Sequence, residues 1–330
     1  MTHLLMPIKI GKLECTNRLV MPPMATAKAY ANGQVSEELI QYYREKTEGG
    51  YISLVIVEHA FITKEGKASN HQISIADDSD IGGLAALAES IKQNRSKAVI
   101  QINHAGSAAD ESVTGSSPVG PSVVVHPWKG SIPVELSKEE IAGIVSAFGK
   151  AAGRVKAAGF DGVEIHSAHG YFLNQFFSPL TNKRTDAYGG ELNKRIRIHL
   201  EVIEAVRRYV GPDFPVFLRL GASDYTDGGT TVEDSQIAAA AFEQAGVDLI
   251  DISGGFCGYT LKGISEQGYF SLLSEAVKKV VTVPVLVTGG ITEPSAAEDL
   301  LSQGKADLIG VGRAILNDSL WAKNAIESLI

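Results

Sequence analysis

A chain of 330 residues, 44% hydrophobic and 21% charged, has the balance of an ordinary globular protein with ample core. A net charge of −8 without any basic run argues against a nucleic-acid surface, and two distant cysteines, Cys15 and Cys257, exclude a disulfide framework or a cysteine-ligated iron–sulfur cluster within the chain. The first residues lack the basic start and apolar run of a signal peptide, and no stretch is long enough to span a bilayer, so a cytoplasmic protein is expected.

In chain order, 18–21 reads as an apolar strand stopped by Pro22-Pro23. A loop over 24–35 precedes a helix over 36–48, opened by Ser36 with Glu37 and Glu38 in its first turn. The apolar run 53–58 reads as a strand covered on both faces, followed by a helix over 80–93 and a strand over 98–103. The segment 106–135 is rich in Gly, Ser and Pro; it reads as too polar for core and placed to form a lid. A helix over 137–158 starts with a capping box, Ser137 and Glu140. Strand 162–166 sends Glu164 and His166 to one side and Val163 and Ile165 to the other.

The remaining pairs are helix 191–210, strand 216–220, helix 232–245, strand 249–252, helix 268–280, strand 283–288, helix 294–303, strand 308–311 and a closing helix from about 318. Gly159, Gly246 and Gly304 stand where helices stop. Strand-then-helix occurs eight times without a linker-like break, so a single-domain α/β protein of the (β/α)8 TIM-barrel class is expected over 1–330. An open doubly wound sheet is the rival, but it wants a GxGxxG turn where this chain has PPMATA.

Barrel chemistry gathers at the carboxyl ends of the strands. Those ends carry Pro23, Met24 and Ala25; Glu58 and His59; Gln101, Asn103 and His104; His166, His169 and Tyr171; Arg219; Ser253; Gly289 and Gly290; and Gly312 and Arg313. Two imidazoles and a phenol within six residues can hold a carbonyl oxygen and deliver a proton, though the histidine pair also has the look of half a metal site or of plain loop polarity. Two glycine loops with Arg313 fit a phosphate-bearing ligand better than two unrelated turns. Arg219, in FLRLGASD, is expected to point inward, towards a salt bridge with Glu164 or towards a cofactor that gains negative charge.

With NRLVMPPM near the start, HSAHGYFLNQFFSPLTNKRTDAYGG in the middle, and VTGGI and GVGRAIL near the end, the chain resembles the old yellow enzyme family, the FMN-dependent ene-reductases, in its bacterial branch. The resemblance implies non-covalent FMN at the barrel mouth. Pro23, Met24 and Ala25 would back the ring and His59 would lie beside it, with Gln101 at the pyrimidine edge and Arg219 near N1 and the C2 carbonyl. Gly289, Gly290, Gly312 and Arg313 would take the phosphate. NADH or NADPH would reduce the flavin, and an activated alkene would bind through its carbonyl oxygen between His166 and His169. Tyr171 would protonate the α-carbon.

The chain departs from the family's bacterial pattern at Ala25, Ala27 and Ser107, where a cysteine, a tyrosine and an arginine are common; all three border the expected pocket. It ends at Ile330, without the cluster site and nucleotide-binding domains of larger relatives, so electrons are expected directly from the nicotinamide. A homo-oligomer stays open. So do two other activities, an oxidative flavin dehydrogenase or demethylase and a phosphate-binding lyase or isomerase. The latter would want a catalytic lysine or paired carboxylates at the strand ends. A pure binding module has no use for Arg219, His166 and Tyr171 together.

Overall fold

The computed structural model describes residues 2–330. Eight strands form one closed parallel barrel: β1 (Leu19–Met21), β2 (Leu54–Phe61), β3 (Lys97–Asn103), β4 (Gly162–Ser167), β5 (Val216–Gly221), β6 (Leu249–Ser253), β7 (Val285–Thr288) and β8 (Leu308–Gly310). Each strand pairs with its sequence neighbours, and β8 closes on β1 through Ile309↔Leu19 and Gly310↔Val20. Outside run α1 (Glu37–Lys46), α2 (Ile81–Lys92), α3 (Lys138–Ala157), α4 (Arg197–Val210), α5 (Val232–Gln244), α6 (Ser271–Lys278), α7 (Pro294–Ser302) and α8 (Trp321–Glu327).

The helix starts follow from local chemistry. Ser36 accepts from Leu39 N–H, Thr231 accepts from Asp234 N–H, and the Ser137–Glu140 capping box closes in both directions. The expected helix over 191–210 is instead two pieces, Leu192–Arg195 and α4, with Ile196 at φ −85°, ψ −6° between them. Arg195 turns inward at that break and donates to the Phe177 carbonyl at 2.8 Å.

The barrel interior is graded from bottom to top. A short antiparallel hairpin, Ile8–Ile10 with Leu13–Cys15, lies across the lower end, and its Ile10, Leu13 and Cys15 are buried against Leu54, Phe217 and Leu249. Burial of the hairpin's apolar face against the barrel floor fixes this stopper, while Lys9 and Glu14 stay exposed. One layer higher the inward residues turn polar: Gln101, Glu164, Arg219 and Asp251, all buried. Val163 and Ile165 face the helices and join the main core, as the alternation along the strand requires.

The segment 106–135 is more tightly held than its composition indicates. It contains a short helix, Glu111–Thr114, and a two-residue strand pair, Val119–Gly120 with Val134–Glu135. Ser107, Thr114, Ser122 and His126 are buried, so part of a stretch read as too polar for core packs inside. His126 Nε2 lies 3.1 Å from the Gly170 carbonyl, and Trp128 meets Phe256 with ring centroids 6.0 Å apart. Among the described residues, no helix is long and apolar enough to cross a membrane.

Candidate active site

The turn after β4 is shaped by backbone before side chains enter. His169 and Gly170 take positive φ, +58° and +68°. That conformation is costly for histidine and is held by neighbours. His169 N–H donates to the Gly254 carbonyl at 3.1 Å, and Gly170 N–H donates to Asn174 Oδ1 at 2.7 Å. Gln175 Nε2 donates to the Gly170 and Ala105 carbonyls at 2.7 and 3.0 Å, stitching this turn to the loop after β3. Tyr171 packs on a small cluster of Ala68, Ala105 and Ala109, so the segment after β3 supports the phenol from behind.

A cavity of about 450 Å³ opens above the polar layer at the carboxyl ends of the strands. Its walls include Pro23, Met24 and Ala25 after β1, His59 on β2 and Gln101 on β3. His166, His169, Tyr171 and Arg219 continue the ring of side chains, and Gly290, Gly312 and Arg313 line the far end. Of the residues singled out in the sequence as binding or catalytic, Gly289 alone stands outside the lining. It braces the far end instead, its carbonyl accepting from Gly268 N–H at 2.6 Å. Of the other strand-end residues, Glu58, Asn103, His104 and Ser253 lie off the cavity, and of the three departures expected at its border only Ala25 lines it; Ala27 and Ser107 do not. Sequence reasoning missed Tyr259, Tyr269, Thr288, Thr292 and Leu316, which line it too. Thr288 directly precedes the Gly-Gly pair and was within reach of a motif reading. Tyr259 sits in an irregular loop, and Tyr269, expected in the first turn of the helix over 268–280, instead stands in the turn before α6, which begins at Ser271.

The ring cluster is compact. His166 lies 5.1 Å from both His169 and Tyr171 between centroids, and His59 lies 5.3 Å from Tyr171. Burial disfavours charge throughout. His59 is lowered to about 4 by burial and then by Arg219, and His166 and His169 fall well below the usual histidine value, again chiefly through burial. Burial pushes Tyr171 up to about 12. Three neutral imidazoles and an un-ionised phenol therefore face the cavity at neutral pH. His169 Nε2 is held 2.7 Å from Ser253 Oγ, and Gln72 Nε2 and Asn103 Nδ2 approach His59 Nδ1 at 3.2 and 3.0 Å.

A bulge between Val57 and Ala60 on β2 separates two neighbours of different duty. His59 reaches the cavity, whereas Glu58 accepts from Thr26 N–H at 3.0 Å and so ties down the chain just after Ala25. Burial raises Glu58 to about 7.

Arg219 is the only cation deep in the site, and its partner differs from the one expected. Glu164 takes the Gln101 amide, Nε2 to Oε1, at 2.7 Å, while Arg219 Nε stands 3.2 Å from Asp251 Oδ2. That N–H is not aimed at the carboxylate, so the contact is Coulombic and not a formed hydrogen bond. Among the described residues no lysine or carboxylate lines the cavity, and no group of three or more His, Cys, Asp and Glu could hold a metal ion.

The profile of the NADH:flavin oxidoreductase / NADH oxidase family matches residues 3–329. The chain is 41% identical to an NADH oxidase of Thermoanaerobacter brockii over 97% of its own length and 50% of that protein. It is 39% identical to an NADPH dehydrogenase of Bacillus licheniformis over 98% of itself and 94% of that protein. The chain spans about half the length of the first curated relatives it matches, 50% and 48%. Among solved structures, a 2-naphthoyl-CoA reductase complex superposes with a TM-score of 0.94 at 29% identity, covering 99% of this chain and 52% of the other. An old yellow enzyme homologue from Zymomonas mobilis superposes with a TM-score of 0.87 at 25% identity, covering 99% and 93%.

Proposed function

Since the chain belongs to the NADH:flavin oxidoreductase / NADH oxidase family, we propose that it uses FMN and NADH or NADPH to reduce activated carbon–carbon double bonds, α,β-unsaturated carbonyl compounds first among them. The observation that carries this reading is the convergence of Gln101, Arg219, His166, His169, Tyr171 and Arg313 on one cavity.

The residues present fit the cofactor. A phosphorylated isoalloxazine needs polar groups at its pyrimidine edge, an apolar support and an anion cradle. Gln101 and Arg219 supply the first, with the Pro23–Ala25 main chain as support. At the far end Gly290 and Gly312 carry no side chain to obstruct a phosphate, and Arg313 brings the charge. Thr288 Oγ1 is buried there without a partner, a polar atom waiting for one. Gly289 serves this end through its backbone.

FMN held by these residues would supply two-electron chemistry, hydride transfer from the nicotinamide and on to the β-carbon of the alkene. The chain's own contribution is binding, polarisation and a proton. His166 and His169, kept neutral, donate to the substrate's carbonyl oxygen without competing charge. Ser253 holds the His169 ring for that task. Tyr171 keeps its proton on Oη at every physiological pH and delivers it to the α-carbon. Among the described residues the lining holds neither the lysine nor the paired carboxylates that the lyase or isomerase reading would want. We place the enzyme in the cytoplasm, where its two free thiols, both raised by burial, Cys15 to about 11 and Cys257 to about 12, stay reduced.

The test is a spectrum. The purified chain is expected to be yellow, to bleach anaerobically with NADH or NADPH, and to recover its colour on addition of an enone. A colourless chain that takes up no FMN refutes the proposal.

A further inference from the structure

Two of the polar residues that line the cavity are each backed by a buried acid that does not line it. Gln101 stands before Glu164 at 2.7 Å, and Arg219 before Asp251 at 3.2 Å. Both acids are wholly buried, on adjacent-but-one strands, with Arg219 on the strand between them. Glu164 Oε2 and both carboxylate oxygens of Asp251 lack hydrogen-bond partners. A doubly ionised pair would put two negative charges against one guanidinium in a dry interior, an arrangement burial penalises heavily.

Resting on the FMN reading above, we infer that Glu164 and Asp251 are positioning residues for Gln101 and Arg219 and hold one proton between them, on Glu164, so that the four-residue layer is neutral overall. The surroundings agree on where the proton sits. Glu164 is held well above the usual carboxylate range by burial and then by the Asp251 charge, with Arg219 and Gln101 opposing. Asp251, nearer the guanidinium, rises only to about 6. Above the layer, His59, His166 and His169 are neutral; below it, Phe217, Leu249 and Leu286 are apolar. Asp251 therefore already offsets the Arg219 charge before any ligand arrives. Asp251 is what restrains the site from over-stabilising an anion above it, and protonated Glu164 orients Gln101 without adding charge.

Three measurements decide this. The infrared spectrum of the purified full chain at pH 8, with isotope-labelled glutamate, is expected to show a carboxylic-acid C=O band that shifts with the label and is lost in Glu164→Gln. The midpoint potential of the FMN-loaded chain should be unchanged in Glu164→Gln, which mimics the neutral acid. In Asp251→Asn it should rise by about 30 mV or more, a tenfold gain in preference for the reduced form of a two-electron couple. No acid band in the wild-type chain, an equal rise in Glu164→Gln, or no rise in Asp251→Asn overturns the inference. A chain that takes up no FMN refutes the function proposed above, while the infrared band, read on the wild-type chain alone, still decides the shared proton.

Discussion

Tyr171 is the residue on which the proposed chemistry turns, and its surroundings make its role separable. It packs on alanines and faces His166 and His59, so removing only its oxygen leaves the cavity's shape intact. Tyr171→Phe is expected to leave reduction by nicotinamide unchanged and to slow the alkene half-reaction by roughly 10²- to 10⁴-fold. Stopped-flow traces of the two halves check this; equal slowing of both would remove the phenol from the role. Because the phenol ionises only near pH 12 and the imidazoles stay neutral, the wild-type alkene step should be flat between about pH 8 and 10, above the titration of Glu58 near 7. Activity falling between about pH 8 and 10 would mean that the phenol loses its proton far below 12.

Among the elements, the end of β8 leaves no room for a side chain. A Cβ added at Gly310 would stand 2.0 Å from Thr288 Oγ1 on β7, at the floor of the far end of the cavity. Gly310→Ala is expected to weaken FMN uptake by about tenfold or more, through an overpacking cost of roughly 1–3 kcal/mol. Thr288→Ala in the same chain should recover most of it, by fluorescence titration; no recovery would assign the loss to the backbone instead. Much of the architecture at this scale is legible in the sequence, because apolar runs such as Leu54–Val57 and caps such as Ser137 act locally. What is not legible depends on partners distant in sequence. The bulge that parts Glu58 from His59 is a pairing defect against β3, invisible in a single strand. Arg219 could be read as inward-facing but not as Asp251's partner instead of Glu164's, since that choice is made by side-chain reach across strands. Tyr259 and Tyr269 reach the site on an irregular loop, and Gly289 leaves it by one residue of turn geometry.

For the whole molecule, the buried histidines set the response to acid. His59 is lowered to about 4, His104 and His199 to about 3, and His166 and His169 well below their ordinary value of 6.5. Below pH 6.5 the unfolded chain takes up protons that the folded chain refuses, so stability falls with pH by about 1.4 kcal/mol per unit for each such group. The raised acids, Glu58, Glu164 and Asp251, act in the opposite sense but are fewer. The melting temperature is therefore expected to drop steadily from about pH 6 to 4; a constant or rising value over that range would contradict neutral burial of the imidazoles. The hairpin stopper beneath the barrel has a kinetic corollary. With Ile10, Leu13 and Cys15 filling the lower end, the cavity is reached from the carboxyl ends of the strands, and an electron donor and acceptor that share that opening are expected to bind in turn. Double-reciprocal plots at several fixed nicotinamide concentrations should run parallel, and excess alkene should slow turnover by standing in the donor's way. Intersecting lines would mean that the two have separate routes in.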